Sequence, residues 1–258
     1  MVRAMSRALV VFMLIAGVAY PAASDARPQT KQTKQTKQSK KSKKKPKDTL
    51  ASRRPTKTSL ARRDNMPRGF AWPPTRQMHE AEKACEAKLD ELGIAWKPAP
   101  AEGRIVDAMT VAGEAGTMTL GGITYVGAFS KSAPKADCQL VLALQTFGPQ
   151  LHELGVERVT FGSIYRWTNV RVGGKTKNIL SRHALGIAMD IISFTDTTGR
   201  IAYIGKDYKL GDELLLNIEN TVNESGLFRL LLTPKNDPIS HSDHFHLEVA
   251  TDYTAPTS

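Results

Sequence analysis

The chain has 258 residues, of which 41% are hydrophobic, enough for one or two domains with a buried core. Its formal net charge of +11 is uneven: residues 27–68 hold sixteen Lys and Arg against two Asp (+14), residues 1–26 add +1, and residues 69–258 are left with −4. The body is therefore mildly acidic, and the basic pI does not indicate a nucleic-acid-binding fold.

The first 26 residues have the pattern of an export signal. A basic start precedes the apolar run LVVFMLIAGVAY, and the small residues of PAASDA follow. A run of about a dozen apolar residues is short for a membrane span. We predict a signal peptide over residues 1–26, with an uncleaved anchor as the alternative. The protein is expected to be exported, to a periplasm or to the cell wall and medium, with no transmembrane span after cleavage.

Residues 27–68 combine a Thr-Lys-Gln repeat with a lysine block and have almost no apolar side chains. Such a segment cannot bury enough surface to offset its ordering entropy, so we predict a disordered basic tail. It is interpreted either as a tether to anionic envelope polymers or as a solvated spacer. Specific nucleic-acid binding is not expected. The folded domain is predicted over residues 69–258.

Two amphipathic helices are predicted at the start of the body, over residues 75–94 and 136–155. Pro149 should kink the second helix or split it. Short strands or turns are expected between them, over residues 103–127. The chain's two cysteines, Cys85 and Cys138, lie one on each helix. An even pair in an exported protein predicts a disulfide.

The pattern changes to strands after Gly155. A Gly-Gly turn predicts a hairpin over residues 170–177. The second half of SRHALGIAMDIISF has the composition of a buried strand, yet it contains Asp190. A carboxylate in an apolar strand is costly unless it is paired, hydrogen-bonded or bound to a metal. A helix over residues 212–224 and a strand over residues 227–232 follow.

The segment DHFHLEVA, residues 243–250, is predicted to be a strand in which side chains alternate between two faces. Phe245, Leu247 and Val249 should then face the core, and His244, His246 and Glu248 the other side. Two imidazoles about 7 Å apart along one strand face can reach a common site. Together with His183 and Asp190 they indicate a hydrolytic zinc site, which uses three protein ligands and an open position.

Two motifs carry a family resemblance. SRHALGIAMD has the pattern Ser-x-His-x-x-Gly-x-Ala-x-Asp, and HFH has the pattern His-x-His. Together they resemble the zinc metallopeptidase superfamily of D-Ala-D-Ala carboxypeptidases, lysostaphin-type enzymes and the Hedgehog domain (LAS). With Cys85, the Cys138 helix and FGSIYRW, residues 77–253 resemble more closely the bacterial extensin-like C-terminal domain family. The resemblance implies an α+β fold: a small antiparallel sheet, helices on one side, and zinc on the open face.

The resemblance also implies roles for individual residues. The zinc ligands would be His183, Asp190 and His246. His244 would transfer protons, and Arg166 would polarise the scissile carbonyl. Ser181, Asp243 and His241 are candidates for binding substrate or orienting the imidazoles.

The function implied by these roles is zinc-dependent hydrolysis of peptidoglycan stem or cross-link peptides at a D-Ala-containing amide bond. The enzyme would be a DD-carboxypeptidase or an endopeptidase. The alternative is a non-catalytic zinc-containing binding module of the cell envelope.

Overall fold

The computed structural model describes residues 65–113 and 116–255. The predicted signal peptide and nearly all of the predicted basic tail lie outside these residues. The last four residues of that tail, 65–68, pack against the domain. Asn65 is 3% exposed, and its side-chain amide donates to the Leu180 carbonyl at 2.9 Å. The folded body therefore includes residues that composition alone assigned to the tail.

The three α-helices of the described residues match the predicted ones: α1 (Arg76–Glu91), α2 (Cys138–Glu153) and α3 (Glu213–Glu224). Each begins after a residue whose side chain accepts from a first-turn backbone N–H: Thr75, Asp137 and Asp212 respectively. Such caps satisfy N–H groups that have no partner within the helix. A disulfide between Cys85 and Cys138 joins α1 to the first residue of α2, as predicted.

Helix α2 continues through Pro149 to Glu153, so of the two predicted effects of this proline, a kink or a split, the split does not occur. An interior proline costs about 3 kcal/mol. Phe147 and Leu151, on either side of it, are each 2% exposed against the sheet. Burying a side chain of this size contributes about 1.5–3 kcal/mol, so packing offsets the cost of the proline.

The described strands form three sheets. The main sheet has seven strands in the order β11-β12-β9-β6-β4-β3, with β10 added beside β9, and only the β4–β6 pair in it is parallel. Strands β1, β2 and β5 form a small sheet, and β7 and β8 form the predicted Gly-Gly hairpin. The strand bounds are β1 (Trp96–Pro98), β2 (Ala108–Val111), β3 (Thr117–Leu120), β4 (Ile123–Gly127), β5 (Ala136–Asp137), β6 (Val156–Ser163), β7 (Asn169–Val172), β8 (Lys175–Leu180), β9 (Ala188–Asp196), β10 (Ile201–Tyr203), β11 (Phe228–Leu232) and β12 (Phe245–Val249).

Helices α2 and α3 pack on the same face of the main sheet. Phe147 of α2, Val222 of α3, and Phe245 and Leu247 of β12 surround one small core cavity. The α+β fold with mostly antiparallel sheets is therefore confirmed, and the side chains of β12 alternate as predicted. Among the described residues, no helix combines the length and apolar character that crossing a bilayer requires.

The opposite face of the sheet is partly covered, by the β7–β8 hairpin and the loop before β12. His246 and Glu248 are only 5% and 4% exposed. The β7–β8 hairpin and the loop before β12 line a cavity over this face, and they are joined where the Gly174 amide donates to Ser240 Oγ at 3.1 Å. Alternation predicts which side chains share a face, but it does not reveal what lies on top of them.

Candidate metal centre

The motif SRHALGIAMD forms a tight turn that brings a histidine and a carboxylate together. Ser181 caps a short 3₁₀ helix, Arg182–Leu185, by accepting from the His183 amide at 3.4 Å. Gly186 ends this helix with φ +69°, and a Cβ there would lie 2.9 Å from the Asp137 amide nitrogen. Only glycine suits both the conformation and the space. The chain then enters β9, which carries Asp190.

Strand pairing places Asp190 opposite His246. The two residues are cross-strand partners in β9 and β12, and Ser163 of β6 pairs with Asp190 on the other side. Residues opposite each other in antiparallel strands share a face. The register of the sheet therefore assembles one row of polar side chains across β6, β9 and β12.

Three ligand atoms converge in a buried triangle. His183 Nε2 lies 3.0 Å from Asp190 Oδ1 and 3.1 Å from His246 Nδ1, and His246 Nδ1 lies 2.9 Å from the same Asp190 oxygen. All three residues are buried. Two ligands at 2.0–2.1 Å from a tetrahedral zinc ion are roughly 3.3 Å apart. The triangle thus has nearly the dimensions that a zinc site requires.

The outer hydrogen bonds determine which ring nitrogens face inward as acceptors. His183 Nδ1 lies 2.7 Å from the Ile164 carbonyl, which only accepts, so Nδ1 carries the hydrogen. His246 Nε2 donates in the same way to Glu248 Oε1 at 3.0 Å. In neutral rings the lone pairs of His183 Nε2 and His246 Nδ1 then point at the Asp190 carboxylate. Three acceptors facing one another require a shared cation.

In the metal-free protein a proton on His246 can fill this position. Burial alone would lower the pKa of His246, but hydrogen bonds to Asp190 and Glu248 raise it to about 9. Burial lowers the pKa of His183, which favours its neutral form. Burial would raise the pKa of Asp190, but His183 and His246 hold it well below its ordinary value. The donor set is therefore one anion and two imidazoles, of which one must lose a proton to bind a metal.

Glu248 connects the centre to a buried network that includes the start of the domain. Its Oε2 accepts from Arg229 Nε at 2.8 Å and lies 3.6 Å from Arg182 Nε. Arg182 and Arg229 also donate to Asn65, at 2.7 and 2.9 Å. Burial would raise the pKa of Glu248, but the bond to His246 and the two arginines lower it to about 2. The acceptor of His246 is thus held ionised.

His244 and Arg166 lie at the mouth of the triangle. His244 precedes β12 rather than belonging to it, and its Nε2 is 3.6 Å from Asp190 Oδ1. Its Nδ1 is held by Asp243 Oδ1 at 2.8 Å, the arrangement of an imidazole oriented by a carboxylate. Arg166 places a guanidinium nitrogen 2.7 Å from Asp190 Oδ2, and its side chain is 49% exposed. An imidazole and a guanidinium therefore flank the three converging atoms.

His241 is buried behind His244 and His246, with ring centroids 5.0 and 5.2 Å away. Its Nδ1 bonds to Asp237 Oδ2 at 3.1 Å. Burial and the charges of His246 and His244 lower the pKa of His241 to about 4. It is therefore a neutral packing partner of the other imidazoles. Ser181, the other candidate for substrate contact, acts as the cap of the 3₁₀ helix and also lines the cavity.

A second cluster of ligand-type side chains, Glu82 with Cys85 and Cys138, is not a comparable site. The two sulfur atoms are joined in the disulfide, so neither can act as a thiolate ligand.

Comparison with protein families bears on this centre. The profile described as "Extensin-like protein C-terminus" matches residues 83–256, more than half of the chain. The chain belongs to this extensin-like family. Searches of curated proteins and of solved structures found no match. The matched range contains all the predicted site residues of this extensin-like domain, from Arg166 to His246.

Two neighbours of the triangle were not assigned roles from the sequence. Glu248 was placed on the face of His246 by alternation, two residues along the strand, and that spacing was the available signal. Ser163, which donates to Asp190 Oδ2 at 3.1 Å, lies in FGSIYRW, but only the register of β6 against β9 reveals the contact.

Two cavities meet at Arg166 and His244 of the extensin-like domain. One, of about 220 Å³, lies beneath the β7–β8 hairpin and reaches His183 and His246. The other is a groove of about 820 Å³ that reaches Asp190, with walls formed by Phe129, Ile192 and Tyr203. A ligand lying across both cavities would pass directly over the triangle.

Proposed function

We propose that this extensin-like domain is a zinc-dependent peptidase of the LAS superfamily, with the fold of the Hedgehog and DD-peptidase domains. The observation that carries the proposal is the convergence of His183 Nε2, Asp190 Oδ1 and His246 Nδ1 at the junction of two cavities. Zinc, when bound there, supplies a water of lowered pKa and polarises a carbonyl oxygen.

The side chains around the triangle have complementary tasks in amide hydrolysis. His244, oriented by Asp243, accepts a proton at Nε2 from the attacking water and returns it to the leaving amine. Arg166 turns from Asp190 Oδ2 toward the carbonyl oxygen, where negative charge develops. Glu248 and the Ile164 carbonyl keep the two ligand imidazoles oriented.

We infer that the substrates are peptidoglycan stem or cross-link peptides, cut at a D-Ala-containing amide bond by DD-carboxypeptidase or endopeptidase action. The predicted export signal supports action on the envelope, in a periplasm or at the cell wall. The basic segment would keep the enzyme near anionic polymers. The two cavities on either side of the triangle suit a chain that is held on both sides of the bond.

The second candidate function is a zinc-containing binding module without catalysis. One observation favours it: Arg166 is paired with Asp190 Oδ2 at 2.7 Å and is not free to meet a carbonyl in this conformation. The Arg166 side chain is about half exposed while Asp190 is buried, so a substrate oxygen can reach the guanidinium from solvent and compete with Asp190 for it.

One experiment separates these functions. The purified, zinc-loaded protein is incubated with muropeptides, with and without a chelator, and the products are identified by mass spectrometry. The peptidase proposal predicts cleavage that the chelator and His244→Ala abolish. His152→Ala, an exposed histidine on α2, is the matched control and should cleave normally. If one zinc ion binds per chain but no bond is cut in any muropeptide, the peptidase proposal fails and the non-catalytic binding module is supported.

A further inference from the structure

The β7–β8 hairpin carries a local excess of positive charge beside the candidate centre. Residues 158–189 contain six Arg or Lys and no Asp or Glu, although residues 69–258 as a whole carry −4. Arg171, Lys175 and Lys177 project from the hairpin and are exposed. None of the three forms an ion pair with any residue in the described part of the chain.

The hairpin is part of the site rather than a remote surface. Residues 168–172 line the smaller cavity together with His183 and His246, and Arg171 is among them. The Gly174 amide donates to Ser240 Oγ, and a Cβ on Gly174 would lie 3.1 Å from Ile239 Cγ2. These contacts hold the turn against the loop that leads to His244.

The acidic groups of this cavity do not neutralise the hairpin, because they have partners of their own. Glu248 is paired with Arg229 and bonded to His246, and Asp237 is bonded to His241. The groove on the other side of Arg166 and His244 is different in character. It is walled by Phe129, Ile192 and Tyr203, and its lysine, Lys206, lies 3.9 Å from Asp207.

We propose that the β7–β8 hairpin binds the carboxylate-bearing side of the substrate. This inference rests on the proposed function and refines it: the preferred peptide has a free carboxylate on the segment that enters the cavity lined by Arg171, and an apolar segment in the groove beyond His244. Lys175 and Lys177 do not line that cavity, and they add positive potential from the neighbouring strand of the same hairpin. Three exposed cations that form no ion pair within residues 65–113 and 116–255 attract anions and raise their local concentration. An exposed ion pair between one of these side chains and the carboxylate raises affinity severalfold at most. The three side chains together should therefore favour a peptide with the carboxylate over one without it by about tenfold.

The test compares two peptides that differ only in a free carboxylate or its amide next to the cleaved bond. The wild-type, zinc-loaded full chain should show a kcat/KM about tenfold higher for the free acid, through a lower KM, and added salt should reduce the difference. The variant Arg171→Glu/Lys175→Glu/Lys177→Glu should lose this preference. The matched control Lys83→Glu/Lys88→Glu/Lys97→Glu, which makes the same change of charge on exposed residues of α1 and β1, should keep it.

The outcomes distinguish this inference from the proposed function. Calorimetric affinities of the same two peptides test the hairpin even if no bond is cut, in which case the peptidase proposal alone fails. Equal preference in the wild-type and hairpin variants, at unchanged zinc content and thermal stability, overturns the inference. A second result also overturns it: the triple glutamate variant of the hairpin no longer sediments with anionic phospholipid vesicles but keeps the peptide preference. The hairpin would then be a membrane-binding surface.

Discussion

Replacing Glu248 by Gln tests whether the buried network behind the triangle stabilises the domain. The carboxylate accepts from His246 and pairs with Arg229 and with Arg182, which is 2% exposed. Gln keeps the shape and one acceptor but removes the charge. Arg182 then remains buried without its counter-ion, which is costly in proteins.

The magnitude follows from the pKa of Glu248, which falls from 4.5 to about 2 in the folded protein. At about 1.4 kcal/mol per pH unit, this depression contributes roughly 3 kcal/mol to the free energy of unfolding at pH 7. A carboxylate with a lowered pKa contributes fully above its unfolded pKa and loses its contribution as the pH falls through the folded one. The difference between wild type and Glu248→Gln should therefore shrink between pH 4.5 and 2, to roughly 1 kcal/mol at pH 3.

Urea unfolding of the metal-free protein at pH 7 and pH 3 provides the measurement. The matched control is Glu80→Gln, which breaks an exposed pair with Arg76 on α1 and should cost less than about 0.5 kcal/mol at pH 7. A Glu248→Gln effect below about 1 kcal/mol at pH 7, or one equally large at both pH values, would refute the electrostatic role of this network.

Three further predictions concern the metal, the disulfide and catalysis. Since the pKa of His246 is about 9, zinc affinity measured by chelator competition should rise about tenfold per pH unit between pH 6.5 and 8.5, and a flat profile contradicts proton displacement. The Cys85→Ser/Cys138→Ser variant opens a loop with a sequence separation of 53 and should lose about 4 kcal/mol in urea unfolding, so an unchanged midpoint argues against the bridge. Arg166→Ala should bind zinc normally but cleave muropeptides about 100-fold more slowly, and an unchanged kcat removes Arg166 from the mechanism.

Much of the secondary structure could be predicted because it follows from patterns within short segments of the chain. The three helices follow from apolar periodicity bounded by capping residues such as Asp137 and Asp212. Strand β12 follows from the alternation of Phe245 and Leu247. Pro149 does not split α2, because packing on both sides of it outweighs its local cost, and helix propensity does not include that packing.

The candidate site was predictable in its members but not in its surroundings. Asp190 was conspicuous because a carboxylate in an apolar strand requires a partner. That partner, His246, is 56 residues away on a neighbouring strand, and the local pattern of a strand does not show which distant strand it pairs with. The cover over the site and the anchoring of Asn65 depend on loops and on the chain before the domain, where composition indicated only a tail.

The measurement that tests the central claim most directly is the metal content of the purified protein after zinc loading and removal of free metal. Wild type and His152→Ala should retain one zinc ion per chain. Asp190→Ala and His246→Ala should retain none while still folded by circular dichroism, because two ligands and an open cavity bind zinc weakly. One zinc ion per chain in both ligand variants, or none in the wild type, would contradict the assignment of the triangle as a metal centre.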